Sequence, residues 1–103
     1  MIIKIDFEEA KQLLDSLDNI VMIDVREESE YITGHAIGAE LLPMSEISEQ
    51  RAEDLIGAKS TPIIVYCRTG RRSLKAAKLL ESWGYESIYD VGGLAGWPYG
   101  LEY

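Results

Sequence analysis

The chain has 103 residues, of which 10 are basic and 18 acidic, giving a net charge of −8 at pH 7. This length suits one domain with one core, and 47% hydrophobic with 27% charged residues excludes a disordered chain. The negative charge argues against nucleic-acid partners, because binding to phosphates depends on Lys and Arg.

The first predicted elements are a strand, a helix and a second strand. A short strand at residues 2–5 precedes a helix that Asp6 caps, with Glu9 completing a capping box. A continuous apolar run at 20–25 is rich in β-branched residues. Such a run is typical of a strand that is covered on both faces.

Three shorter elements follow in the middle of the chain. A short helix is predicted at 27–33, with Gly34 able to end it in a left-handed conformation. A brief strand at 39–42 comes next. A helix over 45–56 then follows, with Ser45 as its N-cap.

The last third of the chain repeats the alternation. A strand at 62–66, a helix at 73–83 and a strand at 87–91 precede a Gly-rich segment and an aromatic tail. Strands that alternate with helices of about ten residues predict a parallel sheet with helices on both faces.

The only cysteine, Cys67, lies between the strand at 62–66 and the helix at 73–83. Ligands collect at this carboxyl end of a parallel strand, and the following helix offers free N–H groups and a positive dipole end. One cysteine and one histidine can form neither an internal disulfide nor a cluster of soft metal ligands. A buried, inert thiol or a reactive one remains, and the three arginines in the next five residues favour a reactive thiolate. We expect no metal and no other cofactor.

Basic residues cluster around this cysteine. Five of the ten lie between positions 68 and 78, whereas no acidic residue occurs from 55 to 80. Such a cationic zone would concentrate a small anion at the thiol. Its members are Arg68, Arg71, Arg72, Lys75 and Lys78.

The segment at 67–73, with the sequence CRTGRRS, resembles the active-site loop of single-domain rhodanese-like sulfurtransferases. Three more pieces follow the order of that family: DVR at 24–26, EYITGHAIGA at 30–39 and GGLAGW at 92–97. The resemblance spans nearly the whole chain. It implies one rhodanese-like domain over residues 1–103, with a three-layer α/β/α fold around a mainly parallel sheet of about five strands.

The resemblance also implies a chemistry, because the family's loop cysteine carries a persulfide. Cys67 would take a sulfane sulfur from a small anionic donor such as thiosulfate and pass it to cyanide or a thiol. The loop backbone would cradle the sulfur, and Arg68 and Arg71 are candidates to bind the donor. The residues of this cradle are Arg68, Thr69, Gly70, Arg71, Arg72 and Ser73. Since no second cysteine exists, the acceptor is an external thiol or other nucleophile, either a small molecule or a protein.

Two alternative functions stay open. A sulfur carrier or regulatory module needs the same thiolate and cradle but shows little turnover with thiosulfate. A cysteine-dependent phosphatase needs the spacing C-x5-R, which would place its arginine at Ser73, and Arg72 comes one residue early. The short loop therefore disfavours a phosphatase, and arsenate reduction with it.

The remaining polar candidates have simpler explanations. Asp24 and Arg26 end a strand at the same edge as Cys67, where they could orient the loop, although an ion pair that fixes the edge is favoured. His35 follows a glycine and fits a structural hydrogen-bonding role.

The apolar runs are all far shorter than the roughly 20 residues of a membrane span, and the first residues lack the pattern of a secretory signal. The sequence therefore predicts a cytoplasmic monomer that has no membrane partner.

Overall fold

A parallel five-stranded sheet forms the centre of the computed structural model, which describes residues 1–103. Every neighbouring pair of strands in this sheet is parallel. The strands lie side by side in the order β1 (Ile2–Lys4), β6 (Ile88–Gly93), β5 (Ile63–Cys67), β2 (Val21–Asp24) and β4 (Glu40–Leu41).

Helices cover both faces of the sheet, which confirms the predicted three-layer fold. Two apolar clusters, one on each face, hold the helices in place. Helix α1 (Phe7–Ser16) packs on one face through Ala10, and helices α3 (Glu49–Ile56) and α4 (Arg71–Ser82) pack on the other. Helix α2 (Glu28–Tyr31) is a single turn after β2.

The central strand β5 divides its side chains between the two faces, because successive residues of a strand point in opposite directions. Ile63, Val65 and Cys67 belong to the cluster under α3 and α4, whereas Ile64 and Tyr66 belong to the cluster under α1. The thiol of Cys67 therefore lies on the α4 face of the sheet.

The predicted capping box of α1 is confirmed. The Glu9 backbone N–H donates to Asp6 Oδ1 at 2.8 Å, and the Asp6 N–H donates to Glu9 Oε1 at 3.0 Å. This motif involves residues three apart, so the local sequence is enough to identify it.

The prediction of one helix over 45–56 is wrong at its start. A 3-10 turn at Met44–Glu46 comes first, and α3 begins after Ser48, whose hydroxyl accepts a backbone N–H three residues on at 3.1 Å. Ser45 is not the N-cap because its hydroxyl donates to Glu27 Oε1 at 2.5 Å. Both serines are good caps in isolation, and a tertiary contact selects between them.

Two other helix boundaries also differ from the prediction. Helix α4 begins at Arg71, two residues before the predicted start, because Gly70 takes a left-handed conformation (φ 95°) and serves as the N-cap. The helix predicted at 27–33 spans only Glu28–Tyr31. Its C-cap is Ile32, so Gly34 is not the residue that ends it.

A second, two-stranded antiparallel sheet was not predicted. It pairs β3 (His35–Ala36) with β7 (Leu101–Glu102). Strands of two residues are too short to show a periodic pattern in the sequence. No helix in the structure has the length and apolar character needed to span a bilayer.

Candidate active site

Cys67 is the last residue of β5, and its sulfur lies against the turn that leads into α4. The Gly70 backbone N–H donates to Cys67 Sγ at 2.9 Å. The side chain is completely buried, among apolar residues of the α4 face. The structure thus places the only thiol of the chain at a strand-to-helix junction, as the sequence predicts.

The backbone around this sulfur has unused donors. Apart from Gly70, the amides of the turn and of the first turn of α4 donate to no protein acceptor. Helix N-termini generally leave such groups free, and together they can bind an anion. These amides belong to Arg68, Thr69, Arg71, Arg72 and Ser73.

The three arginines of the loop differ in what they contact. Arg68 and Arg71 are exposed and make no hydrogen bond or ion pair with the protein. Arg72 instead forms a two-pronged ion pair with Glu30, with Nη1 at 2.6 Å from Oε1 and Nη2 at 2.9 Å from Oε2. Only Arg68 and Arg71 are therefore free to attract an anionic reactant.

Glu30 connects α2 to the first turn of α4. Besides Arg72, its Oε1 accepts the backbone N–H of Glu27 at 3.0 Å. The hydrogen bond from Arg72 lowers the pKa of Glu30 from 4.5 to about 2, although burial acts in the opposite direction. This carboxylate is consequently ionised throughout the physiological pH range.

Glu30→Gln is expected to destabilise the fold by about 1–2 kcal/mol at pH 7, because a charge-assisted hydrogen-bonded pair is lost. The folded-state pKa of Glu30 is lowered, so the pair stabilises the protein above pH 4.5 and loses this effect as the pH falls towards 2. Urea unfolding of both proteins between pH 7 and pH 3 measures the difference.

A matched control for this variant is Glu28→Gln, which removes an exposed carboxylate of the same helix that has no ion-pair partner. It should leave stability unchanged at each pH. A pH-independent difference between wild type and Glu30→Gln would contradict the role given to the Arg72 ion pair.

Asp90, on β6, forms hydrogen bonds to the C-terminal end of the cysteine loop and to its own strand. Its Oδ1 lies 2.8 Å from the Ser73 hydroxyl and accepts the Gly92 N–H at 2.9 Å. The register between β5 and β6 shifts by one residue after Val65 and Asp90, which marks a β-bulge at this point. The buried carboxylate therefore fixes both the bulge and the first turn of α4.

The bulge brings the glycine backbone of β6 directly against the cysteine loop. An alanine Cβ at Gly93 would lie 2.8 Å from the Arg68 carbonyl oxygen, and Gly70 Cα lies 3.9 Å from the ideal Cβ position of Gly92. Of the nine glycines, Gly93 alone lacks a positive φ, so its requirement for glycine comes from this contact and not from backbone conformation.

Gly93→Ala is expected to displace the loop. The transfer of sulfur from thiosulfate to cyanide that the sequence resemblance implies should then fall by about 10-fold to 100-fold, since small displacements of reacting groups have effects of that size. Steady-state thiocyanate formation is the measurement. As a control, Gly57→Ala strains a positive-φ helix end with no neighbour within 4 Å, so it should cost stability and leave turnover intact. Equal losses of turnover in the two variants would mean that the loop contact at Gly93 does not matter.

Asp24 and Arg26 form the ion pair that the sequence favours. Arg26 donates to Asp24 through Nη2 at 2.8 Å and through Nε at 3.1 Å, and the Tyr66 hydroxyl donates to the same carboxylate at 2.5 Å. Arg26 Nη2 also donates to the Gly34 carbonyl at 2.7 Å. Asp24 is in register with Tyr66, so both side chains lie on the sheet face opposite Cys67.

The network of Asp24, Arg26 and Tyr66 is buried, and it keeps the Tyr66 hydroxyl protonated. Burial, and then the hydrogen bond to Asp24, raise the pKa of Tyr66 far above its usual value of 10. Its hydroxyl therefore remains a donor at all physiological pH values. No hydrogen bond joins Asp24 or Arg26 to the loop at 67–73, so their part in the site is to fix the neighbouring strand end.

An open pocket of about 280 Å³ lies beside the loop. Arg26 and Arg68 contribute its two cationic side chains, and Trp97 contributes an aromatic wall. Cys67 is not among the lining residues, since its thiol is on the other face of the sheet. The rest of the lining is Gly34, Leu94, Ala95, Gly96 and Leu101.

His35 has a structural environment. Its ring stacks on Tyr31 with the centroids 3.6 Å apart, its Nδ1 lies 2.9 Å from the Tyr31 carbonyl oxygen, and its Nε2 lies 3.4 Å from Glu102. These contacts agree with the hydrogen-bonding role predicted for it. No group of three or more potential metal ligands occurs in the structure.

Sequence reasoning missed three residues that shape the loop, namely Glu30, Asp90 and Gly93. The role of Asp90 could have been predicted, because a carboxylate inside a buried strand needs a hydrogen-bond partner. The role of Glu30 could not have been predicted, since its partner Arg72 is 42 residues away in the sequence. Gly93 looked like an ordinary turn residue until the bulge placed it beside Arg68.

Comparison with known protein families matches residues 6–98 to the Rhodanese-like domain. The crystal structure of the Alr3790 protein from Anabaena sp. superimposes with a TM-score of 0.85 at 31% identity, covering 95% of this chain and 90% of that one. The comparison of sequences and the comparison of structures therefore agree on the fold.

Two relatives differ in the activity their names give. The thiosulfate sulfurtransferase GlpE of Tolumonas auensis is 32% identical over 101 residues, which cover 97% of this chain and 92% of GlpE. YrkF of Bacillus subtilis, named as a proposed sulfur carrier protein, is 34% identical over 95 residues. That match covers 91% of this chain but 50% of YrkF, so the chain spans half the length of this relative.

Proposed function

The chain belongs to the rhodanese-like domain family, and from that membership and the geometry of the loop we propose that it is a sulfurtransferase. It moves a sulfane sulfur from thiosulfate or a related donor to a thiophilic acceptor, through a persulfide on Cys67. One observation carries the proposal: the Gly70 N–H lies 2.9 Å from the sulfur, and five neighbouring amides have no protein partner.

The first step is a displacement at sulfur. The Cys67 thiolate attacks the outer sulfur of thiosulfate and forms a new S–S bond, while the original S–S bond breaks and sulfite leaves with its electron pair. In the second step an acceptor nucleophile attacks the outer sulfur of the persulfide. The Cys67 thiolate is thereby regenerated, and no external oxidant or reductant is consumed.

The free amides of the loop supply the electrostatics of both steps. The outer persulfide sulfur carries negative charge, and fixed N–H dipoles stabilise such a charge without having to reorganise. Arg68 and Arg71 lie exposed at the same loop and attract the dianionic donor from solvent.

The mass of the intact protein after mixing with thiosulfate tests the proposal. We expect a gain of one sulfur atom, about 32 Da, that disappears when cyanide is added as acceptor. An unchanged mass at millimolar thiosulfate, in protein whose thiol still reacts with iodoacetamide after unfolding, would rule out loading by this donor.

Arg71→Ala is expected to raise the KM for thiosulfate several-fold and to leave kcat nearly unchanged, because the side chain attracts the donor and takes no part in sulfur transfer. Initial rates at varied thiosulfate concentration give both constants. Lys4→Ala, which removes an exposed cation of β1 that belongs to neither the loop nor α4, is the matched control. An unaltered KM in Arg71→Ala would leave donor binding to Arg68 and the backbone amides.

The second candidate is a sulfur carrier that a partner enzyme loads, and the similarity to YrkF favours it. The two functions differ in turnover: a carrier accepts sulfur from a protein persulfide and forms little thiocyanate with thiosulfate. A phosphatase is disfavoured further, because Ser73, at the position of the arginine such an enzyme needs, is buried against Asp90.

A further inference from the structure

Four exposed basic residues lie on the cysteine loop and on helix α4. We call them the cationic stripe: Arg68, Arg71, Lys75 and Lys78. All four are exposed, and none forms an ion pair, a hydrogen bond or a cation–π contact. By contrast, four other basic residues are in ion pairs, namely Lys11, Arg26, Arg51 and Arg72.

Helical geometry places the members of the stripe on one face. Arg71, Lys75 and Lys78 are separated by four and then three residues, which is the repeat of neighbours along one side of a helix. The distance from Arg71 to Lys78 along the axis is about 10 Å at 1.5 Å per residue. Arg68 adds a further exposed cation three residues before Arg71, in the loop that holds Cys67.

An apolar hollow accompanies the stripe on the same helix. It has a volume of about 430 Å³, with Lys75 and Lys78 beside Leu79 and Met44. Leu79 is half-buried and belongs to neither core cluster, so its apolar surface is not used by the fold. A hollow of this kind between two lysines fits an apolar side chain that is flanked by carboxylates.

We propose that the stripe and the hollow dock an acidic protein segment bearing a cysteine, which accepts sulfur from Cys67. This inference rests on the proposed function and identifies the class of molecule that accepts the sulfur. The occupant follows from charge complementarity: the protein carries a net charge of −8, so an acidic partner is repelled elsewhere and steered to the stripe. A polynucleotide would contact the surrounding acidic surface as well, which disfavours it.

The location of the stripe suits the transfer step. Arg71 is the first residue of α4 and directly follows the loop that holds Cys67, so a segment docked along the stripe can place its own thiol at that loop. The partner thiolate attacks the outer sulfur of the Cys67 persulfide and forms a new S–S bond. The bond to Cys67 Sγ breaks, the electron pair stays on Cys67, and the partner leaves as a persulfide.

Three synthetic peptides of equal length test the docking surface. Each contains one cysteine and one leucine, and the flanking residues are Glu and Asp in the first, Gln in the second and Lys in the third. Protein loaded with thiosulfate and verified by mass is mixed with each peptide, and the peptide persulfide is followed by mass spectrometry. We expect about 10-fold faster transfer to the acidic than to the neutral peptide at low ionic strength, with the difference lost at high salt.

The double variant Lys75→Glu/Lys78→Glu separates docking from chemistry. It should abolish the preference for the acidic peptide and leave sulfur transfer from already loaded protein to the neutral peptide at the wild-type rate. The single variants Lys75→Glu and Lys78→Glu should each weaken the preference, and Lys4→Glu, which changes the charge by the same amount as either of them, should retain it because Lys4 is exposed on β1 and not on α4. Equal rates for the three peptides with loaded wild-type protein would refute the docking surface and leave the proposed function standing.

A binding measurement tests the docking surface even if thiosulfate does not load the protein and the proposed function is wrong. The acidic peptide with Ser in place of Cys should shift the amide NMR signals of Lys75, Lys78 and Leu79, and the basic peptide should not. Absence of these shifts would overturn the docking surface independently of catalysis. Tighter binding of an oligothymidylate than of the acidic peptide would overturn the assignment of the occupant.

Discussion

Cys67→Ser is expected to lower sulfur transfer from thiosulfate to cyanide by at least about a thousand-fold, to the uncatalysed background. A hydroxyl at this position cannot form the persulfide through which both displacement steps pass. Thiocyanate formation and intact mass after thiosulfate are the two measurements, and the variant should show neither product nor added sulfur. Retained turnover would refute the assignment of Cys67 as the nucleophile.

The same variant should fold normally, which makes its loss of activity interpretable. The serine hydroxyl can accept the Gly70 N–H in place of the sulfur, so we expect a change in unfolding free energy of no more than about 1–2 kcal/mol. Cys67→Ala removes that acceptor and should be the less stable of the two. Urea unfolding compares them directly.

Asp24→Ala is expected to have the largest effect on stability, about 3–5 kcal/mol. The carboxylate is fully buried and accepts hydrogen bonds from the side chains of Arg26 and Tyr66, both of which would lose their partner. Arg26 would then be a buried cation with only the Gly34 carbonyl as a partner. Chemical denaturation at pH 7 gives the change in unfolding free energy.

The double variant Asp24→Ala/Arg26→Met tests whether the cost comes from the isolated charge. Removing the guanidinium as well should recover part of the stability lost in Asp24→Ala, because no uncompensated cation remains. A double variant less stable than the single one would show instead that Arg26 contributes by packing. Turnover per folded molecule should fall only modestly in both variants, since neither residue contacts Cys67.

Features that depend on neighbouring residues could be predicted from the sequence. The capping box of Asp6 and Glu9 and the position of Cys67 at a strand end involve short segments with strong patterns, and the structure has both. The strand at 20–25 and the strand at 62–66 were predicted because continuous apolar runs mark buried parallel strands. The pairing of these elements into one parallel sheet follows from their alternation with helices.

Features that depend on distant contacts could not be predicted. Ser45 and Ser48 are equivalent as helix caps, and only the contact with Glu27 decides between them. The start of α4 depends on the φ of Gly70, which its packing against Gly92 helps to fix. Of the loop arginines, Arg72 is paired because Glu30 contacts it, and Glu30 is far from the loop in the sequence.

The strand order also determines when the loop around the thiol is completed during synthesis. The loop that holds Cys67 is completed by Asp90 and Gly93 of β6, the strand that lies between β5 and β1. While the ribosome is still adding the residues after α4, the cysteine has neither its bulge nor its fixed amides. Pairings between such distant segments form late in folding. Under the proposed function, sulfur transfer at Cys67 would therefore begin only once β6 has inserted into the sheet.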